Sequence, residues 1–194
     1  MEIPGKPNAI VITKGMLQQP EAKTAHGLIR GTTRFNIAGV LDDVYAGKDA
    51  GEVLDGKHRG IPVFASVSDA LANIKDLRYC IIGVATHGGI LPTAFINIIE
   101  ECIRSGISIV NGLHEYLRDN PHIVSLANKY HVELIDIRRP KPRNELHFWH
   151  GGINKVDVPI IAVLGMDCAI GKRTTCKMVV EGCAENNINA QMIP

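Results

Sequence analysis

The stretch Gly165-Met166-Asp167-Cys168-Ala169-Ile170-Gly171-Lys172-Arg173-Thr174-Thr175 has the composition of a loop that holds an anion. Glycines let backbone N–H groups converge on a phosphate, a helix N-terminus adds positive potential, and a lysine supplies a point charge. An apolar run over residues 160–164 precedes it and a helical pattern over 174–185 follows, the setting a P-loop requires. Two departures from G-x-x-x-x-G-K-[ST] matter. Five residues separate Gly165 from Gly171 instead of four, and Arg173 follows Lys172 where a hydroxyl residue belongs. The hydroxyl that would ligate Mg²⁺ is thereby displaced one position, about 100° around the helix. Phosphate binding is the expectation, without ordinary Mg-nucleotide hydrolysis. Cofactor contacts are assigned to Gly165, Asp167, Cys168, Ala169, Gly171, Lys172, Arg173, Thr174 and Thr175. Cys168 reads either as a nucleophile of lowered pKa or, more simply, as a small loop filler.

A second constellation lies upstream. Thr86-His87-Gly88-Gly89 ends an apolar run over 79–85, and open α/β sheets place ligands at such strand ends. His87 could do acid–base work, and Gly88 and Gly89 would let a cofactor approach the backbone; a tight turn with a solvated histidine is the plain alternative. Asn111-Gly112-Leu113-His114-Glu115 follows the next strand, so His114 should neighbour His87, unless this is an ordinary helix start. Asp167, His87 and His114 are the catalytic candidates. The first strand lacks G-x-G-x-x-G, since Thr13-Lys14-Gly15-Met16 carries one glycine, so a dinucleotide is only weakly signalled there.

Other groupings have plainer readings. Asp42, Asp43, Lys48, Asp49 and Glu52 could grip an amino-acid ligand but read more simply as a solvated charged loop. Lys23, His26 and Arg30 make a basic helix face that could receive a carboxylate. Arg138, Arg139, Lys141 and Arg143 are interleaved with prolines and lack aromatic partners, which argues for a linker and against a nucleic-acid surface. Trp149, between His147 and His150, reads as a packing residue, and the histidine spacing is not that of a metal site.

These residues must be positioned by short apolar runs that alternate with helical patterns. Strands are expected over 9–13, 36–41, 61–64, 79–85, 107–110 and 132–137, with helices over 22–30, 66–74, 92–104 and 122–130. Residues 42–60 read as a Gly- and Asp-rich loop. The alternation argues for an α/β fold with a parallel sheet: a Rossmann-like N-terminal domain over 1–138. A Pro-rich basic linker (139–157) follows, and then the start of a P-loop NTPase-like α/β domain (158–194) whose strands are expected over 160–164 and 188–193. So short a second unit cannot bury a core alone, which leads us to expect a fragment that is inactive by itself.

Composition excludes several classes. Of 194 residues, 45% are hydrophobic and 21% charged, and the formal net charge of +1 favours neither nucleic acid nor an anionic membrane. No apolar run approaches the roughly 20 residues of a membrane span. Five cysteines without CxxC spacing read as reduced, cytoplasmic thiols rather than disulfides or structural zinc.

Residues 165–175 (GMDCAIGKRTT) resemble the P-loop of the DUF1611 family, also described as D-glutamate N-acetyltransferase-like. The longer loop, with its Gly-x-Asp start, is also similar to that of dethiobiotin synthetase. Five more blocks resemble the DUF1611 family in the same order: 22–30 (AKTAHGLIR), 40–52 (VLDDVYAGKDAGE), 83–92 (GVATHGGILP), 111–119 (NGLHEYLRD) and 136–140 (DIRRP). The resemblance implies a Rossmann-like domain followed by a P-loop domain about as long again. It also implies a role in D-amino-acid catabolism, with transfer of acetyl from acetyl-CoA to the amine of D-glutamate. On that reading the loop would cradle the phosphates of coenzyme A, a small amino acid would be the substrate, and Asp167 would orient the amine or accept its proton. The expected chain is a cytoplasmic homo-oligomer that binds no membrane. Two alternatives stay open: an ATP- and Mg-dependent ligase or kinase-like enzyme, and a non-catalytic ligand-binding protein.

Overall fold

Runs of β-branched residues flanked by turn residues make the strands, and their alternation decides which helix each side chain meets. The computed structural model describes residues 5–167 and 170–193. The chain divides into two units, Met1–Pro142 and Arg143–Pro194.

In the first unit the strands are β1 (Asn8–Ile12), β2 (Asn36–Leu41), β3 (Val63–Phe64), β4 (Leu77–Ile82), β5 (Ser108–Asn111) and β6 (Leu134–Asp136). The helices are α1 (Lys23–Arg30), α2 (Ala50–Asp55), α3 (Val67–Asn73), α4 (Thr93–Arg104) and α5 (Pro121–Tyr130). All six strands form one sheet in the order β3-β2-β1-β4-β5-β6, and every strand pair is parallel. The order reverses between β1 and β4, as in doubly wound dinucleotide-binding sheets.

Period-2 alternation sends the strand residues into two separate cores. Ile10 and Ile12 of β1, Cys80 and Ile82 of β4 and Ile109 of β5 pack with Val67, Phe95, Ile99, Ile103 and Ile123 from α3, α4 and α5. Ala9, Val11, Ile81 and Val110 face the opposite side, against Ala25 and Ile29 of α1 and Ala50 of α2. Ile10, Ile12 and Phe95 are wholly buried, and each such side chain stabilises the fold by roughly 1.5–3 kcal/mol. The expected parallel α/β sheet is present.

One expectation inside this unit needs correction. Residues 42–60 are not all loop, because α2 forms at Ala50–Asp55. Its N-cap is Asp49, whose carboxylate accepts from Gly51 N and Glu52 N. Gly51 is needed there, since a Cβ would run into the Lys57 carbonyl.

The second unit contains α6 (Lys172–Glu185), which starts two residues before the expected position. Short 3-10 turns occur at Arg143–Glu145 and Gly152–Lys155. The strands expected over 160–164 and 188–193 do not form; Ile160, Ile161, Leu164, Ile188 and Ile193 are all exposed. A strand exists only when a neighbour completes its hydrogen bonds, and no strand lies within this unit among the described residues.

Candidate functional site

Gly171 ends the loop of the second unit in a left-handed conformation, φ 93°, and caps α6. Glycine adopts that conformation without strain, and the turn aims the first amides of α6 back toward the loop. Lys172, the first helical residue, folds its ammonium over the loop, where Nζ donates to Asp167 O at 2.6 Å and Gly165 O at 3.4 Å. A cation and a helix N-terminus therefore meet at the loop carbonyls. A side chain at Gly165 would displace the tip of the exposed Ile170 side chain.

The two threonines differ. Thr175 N and Oγ1 both donate to Gly171 O, at 2.9 and 3.2 Å, which turns this hydroxyl into the helix. Thr174 is exposed and its hydroxyl makes no hydrogen bond among the described residues. Arg173, at the position of the usual Mg-ligating hydroxyl, is also exposed. The expected contacts Cys168 and Ala169 lie outside the described residues.

In the first unit the carboxyl ends of the strands bring together the loops singled out in the sequence. Thr13 Oγ1 donates to Asp42 Oδ2 at 2.7 Å, and the same oxygen accepts from Leu17 N at 3.1 Å. Asp42 Oδ1 accepts from Val44 N, and the residue is 1% exposed. Asp42 therefore ties the β1 turn to β2, where a dinucleotide site would keep an acid for the ribose. Lys14 Nζ pairs with Asp43 at 2.6 Å, and that hydrogen bond holds the Asp43 carboxyl below the usual carboxylate range. At the start of α1, Ala25 N donates to Gly83 O and Glu21 O accepts from Ala85 N of the loop after β4. The amides of Leu17 and Ala25 are thus engaged within the protein.

His87, Gly88 and Gly89 form a short turn after β4, with Gly88 and Gly89 at φ 68° and 70°. Gly89 O accepts from His114 N and Glu115 N, both at 3.0 Å, and Glu115 Oε2 accepts from Leu91 N at 2.7 Å. A Cβ on Gly89 would lie 2.5 Å from His114 Cδ2, so the His114 ring rests directly on this glycine. The expected adjacency of the His87 and His114 loops is present. Both imidazoles are exposed.

Polar residues to which the sequence assigned no site role complete this edge. Asn111, wholly buried, donates to Glu115 O and Asp136 Oδ1 and accepts from Leu113 N. Asp136 accepts from Leu117 N and Arg118 N, capping the turn after β5. Arg138 Nε donates to Gly112 O at 2.7 Å. The only local signal for Asn111 and Asp136 is a polar residue ending an apolar run.

The basic face of α1 is partly engaged, with Lys23 exposed. His26 Nε2 lies 2.7 Å from Leu17 O, and Arg30 lies 3.7 Å from the Asp55 carboxylate. No group of three or more metal-ligating side chains occurs among the described residues, and no helix among them is long and apolar enough to cross a membrane.

Residues 44–140 match the family described as "Domain of unknown function (DUF1611_N) Rossmann-like domain", and residues 147–194 match "Domain of unknown function (DUF1611_C) P-loop domain". A D-glutamate N-acetyltransferase of a Pseudoalteromonas species is 34% identical over 109 residues, 56% of this chain and 32% of that protein. A protein of the same name from Tritonibacter scottomollicae is 30% identical over 104 residues, 54% of this chain and 30% of its own length. The crystal structure of a DUF1611 family protein from Anabaena variabilis superposes with a TM-score of 0.81 at 25% identity, covering 93% of this chain and 51% of that one. The matches thus span about a third of the curated relatives and half of the solved protein.

Proposed function

This chain belongs to the DUF1611 family, and we propose that it contributes the phosphate-holding loop of an N-acetyltransferase acting on D-glutamate or a similar amino acid. The donor set at the start of α6 carries the reading. Gly171 directs helix amides toward the loop, Lys172 places an ammonium there, and the residue after it is Arg173 rather than a hydroxyl. Such a set suits a phosphate bound without a coordinated Mg²⁺, as in the pyrophosphate or 3′-phosphate of coenzyme A. The names of the two curated relatives support the same reaction class.

Acetyl-CoA, when bound, supplies an activated thioester: the C–S bond breaks, a C–N bond forms, and the thiol leaves. Lys172 exchanges the carbonyls of Asp167 and Gly165 for phosphate oxygens, a stronger charge-assisted contact. Gly165, Gly171 and Thr174 keep the loop open to that phosphate. The amine must lose a proton before it attacks, and Asp167, His87 and His114 are the residues we put forward to take it. Changing each separately, as Asp167→Asn, His87→Gln and His114→Gln, identifies the base: kcat/KM falls about 10²- to 10⁴-fold with coenzyme A affinity retained.

The deciding experiment titrates the intact protein calorimetrically with coenzyme A and with MgATP, then follows thiol release from acetyl-CoA with D-glutamate. Coenzyme A binding and thiol release support the proposal. Tight MgATP binding with none for coenzyme A overturns it in favour of an ATP-dependent ligase or kinase-like enzyme, the reading favoured by the unbonded Thr174 hydroxyl. Binding without turnover of either leaves a ligand-binding protein.

A further inference from the structure

At the carboxyl edge of the sheet in the first unit, the acids accept hydrogen bonds from amides and side chains, while three bases make no ion pair among the described residues. Asp42 is enclosed by Thr13, Leu17 N and Val44 N, and Asp43 is paired with Lys14. Glu115 accepts from Leu91 N, while Asp136 accepts from Asn111 and from the amides of Leu117 and Arg118. Arg139, by contrast, is neutralised by Asp119 at 2.8 Å. His87, His114 and Arg138 remain exposed, and Arg138 makes no ion pair among the described residues.

These three groups come from the loops after β4, β5 and β6, which are neighbours in the sheet. Arg138 and His114 are held by their surroundings, and the turn that carries His87 is tied to them. Arg138 is anchored through Nε to Gly112 O, which leaves Nη1 and Nη2 as an end-on pair of donors. Tyr116 Oη fixes the backbone beneath it by donating to Arg138 O at 3.3 Å. The His114 ring is seated on Gly89, and the His87 turn is joined to the His114 loop through Gly89 O.

We propose that this edge binds a small carboxylate, gripped by the Nη pair of Arg138 with the imidazole N–H groups of His114 and His87 beside it. A planar pair of donors meets the two oxygens of a carboxylate in one plane, as it also can two oxygens of a phosphate, so inorganic phosphate is the control that separates the two. Glu115, exposed beside His114, and the half-buried Asp136 turn carboxylate oxygens onto backbone amides, which lessens the repulsion that an anion would meet. The site lies wholly within the first unit and shares His87 and His114 with the acetyl-transfer reading, but its binding is measured without acetyl-CoA, so either can fail while the other stands.

The test is an NMR titration of the full chain with glutarate, D-glutamate and inorganic phosphate, without acetyl-CoA, following the imidazole C–H signals and the Gly89 amide. The expected result is a saturable shift of His114 and Gly89 with glutarate. Arg138→Gln should weaken binding at least about tenfold, as expected for a lost charge-assisted contact. Arg138→Lys, which keeps the charge and loses the planar pair, should fall between, and Arg139→Gln should stay within about twofold. The proposal is overturned by no saturable shift up to about 10 mM, by equal affinity in wild type and Arg138→Gln, or by phosphate saturating where both carboxylates fail.

Discussion

Gly89 shows how one residue without a side chain positions another that has chemistry to offer. Its φ of 70° and the 2.5 Å approach of a built Cβ to His114 Cδ2 both exclude a larger residue. Gly89→Ala should destabilise the chain by about 1–3 kcal/mol in urea unfolding and displace the His114 ring signals. Unchanged stability and shifts would mean that the loop has room to relax. Asp49 is the structural counterpart. Its carboxylate accepts from Gly51 N, Glu52 N, Arg59 N and Ile61 N, at 2.8–3.1 Å. Burial opposes its ionisation, yet these amide hydrogen bonds outweigh burial and hold the carboxyl below its usual range. Asp49→Ala should cost about 2 kcal/mol or more, since it removes a helix cap and orphans loop amides together. The pattern Asp49-x-x-Glu52 before Val53 and Leu54 was a legible cap signal. What could not be read was that Arg59 and Ile61 would return to the same carboxylate. At the P-loop, Lys172→Met should weaken coenzyme A binding at least about tenfold by calorimetry. It should change stability little, because among the described residues the ammonium donates to loop carbonyls alone.

Among the elements, α4 and α5 are joined by one polar cluster outside their apolar contact. Glu100 of α4 accepts from Arg104 at 2.6 Å, one turn on, and lies 3.0 Å from His122 of α5. Arg104 first and then His122 hold the Glu100 carboxyl below its usual range against the effect of desolvation. His122→Ala should therefore raise the Glu100 pKa, measurable by NMR titration of its side-chain carboxyl; an unmoved value would show that Arg104 alone sets it. The sheet edges are also closed by local elements. On β6, Leu134 O accepts from Arg118 Nε and Asp136 O from Arg139 N. On β3, Val63 N donates to Lys48 O and Val63 O accepts from Gly47 N. Closed edges limit pairing with another chain.

For the chain as a whole, the depressed carboxyls set the direction of acid sensitivity. A carboxyl whose folded pKa lies below its unfolded one favours the fold above the unfolded value, and that contribution is lost as pH falls toward the folded value. Asp55, gripped by Arg59 through two hydrogen bonds, falls from 3.8 to about 2. With Asp43, Asp49 and Glu100 shifted the same way, the urea midpoint should drop as pH falls from about 4.5 toward 2. A flat profile over that window would contradict these assignments. Hydrogen exchange should be slowest for the amides of β1, β4 and β5, buried between two helical layers, and faster in α6, which buries no side chain.

The sequence alone determined the parallel α/β unit and the P-loop, because both are written in local signals: apolar period, turn glycines, and a lysine at a helix start. It could not supply the ties that cross the sheet. Asp42 beneath the β1 turn and Asn111 with Asp136 join residues from separate strands, and only the strand order β3-β2-β1-β4-β5-β6 makes them neighbours; the His87 and His114 loops were expected side by side, but not the seat of the His114 ring on Gly89. The expected strand at 160–164 shows the reverse case. Its apolar pattern is local, but strand pairing is not, and without a neighbouring strand in its unit the segment stays unpaired.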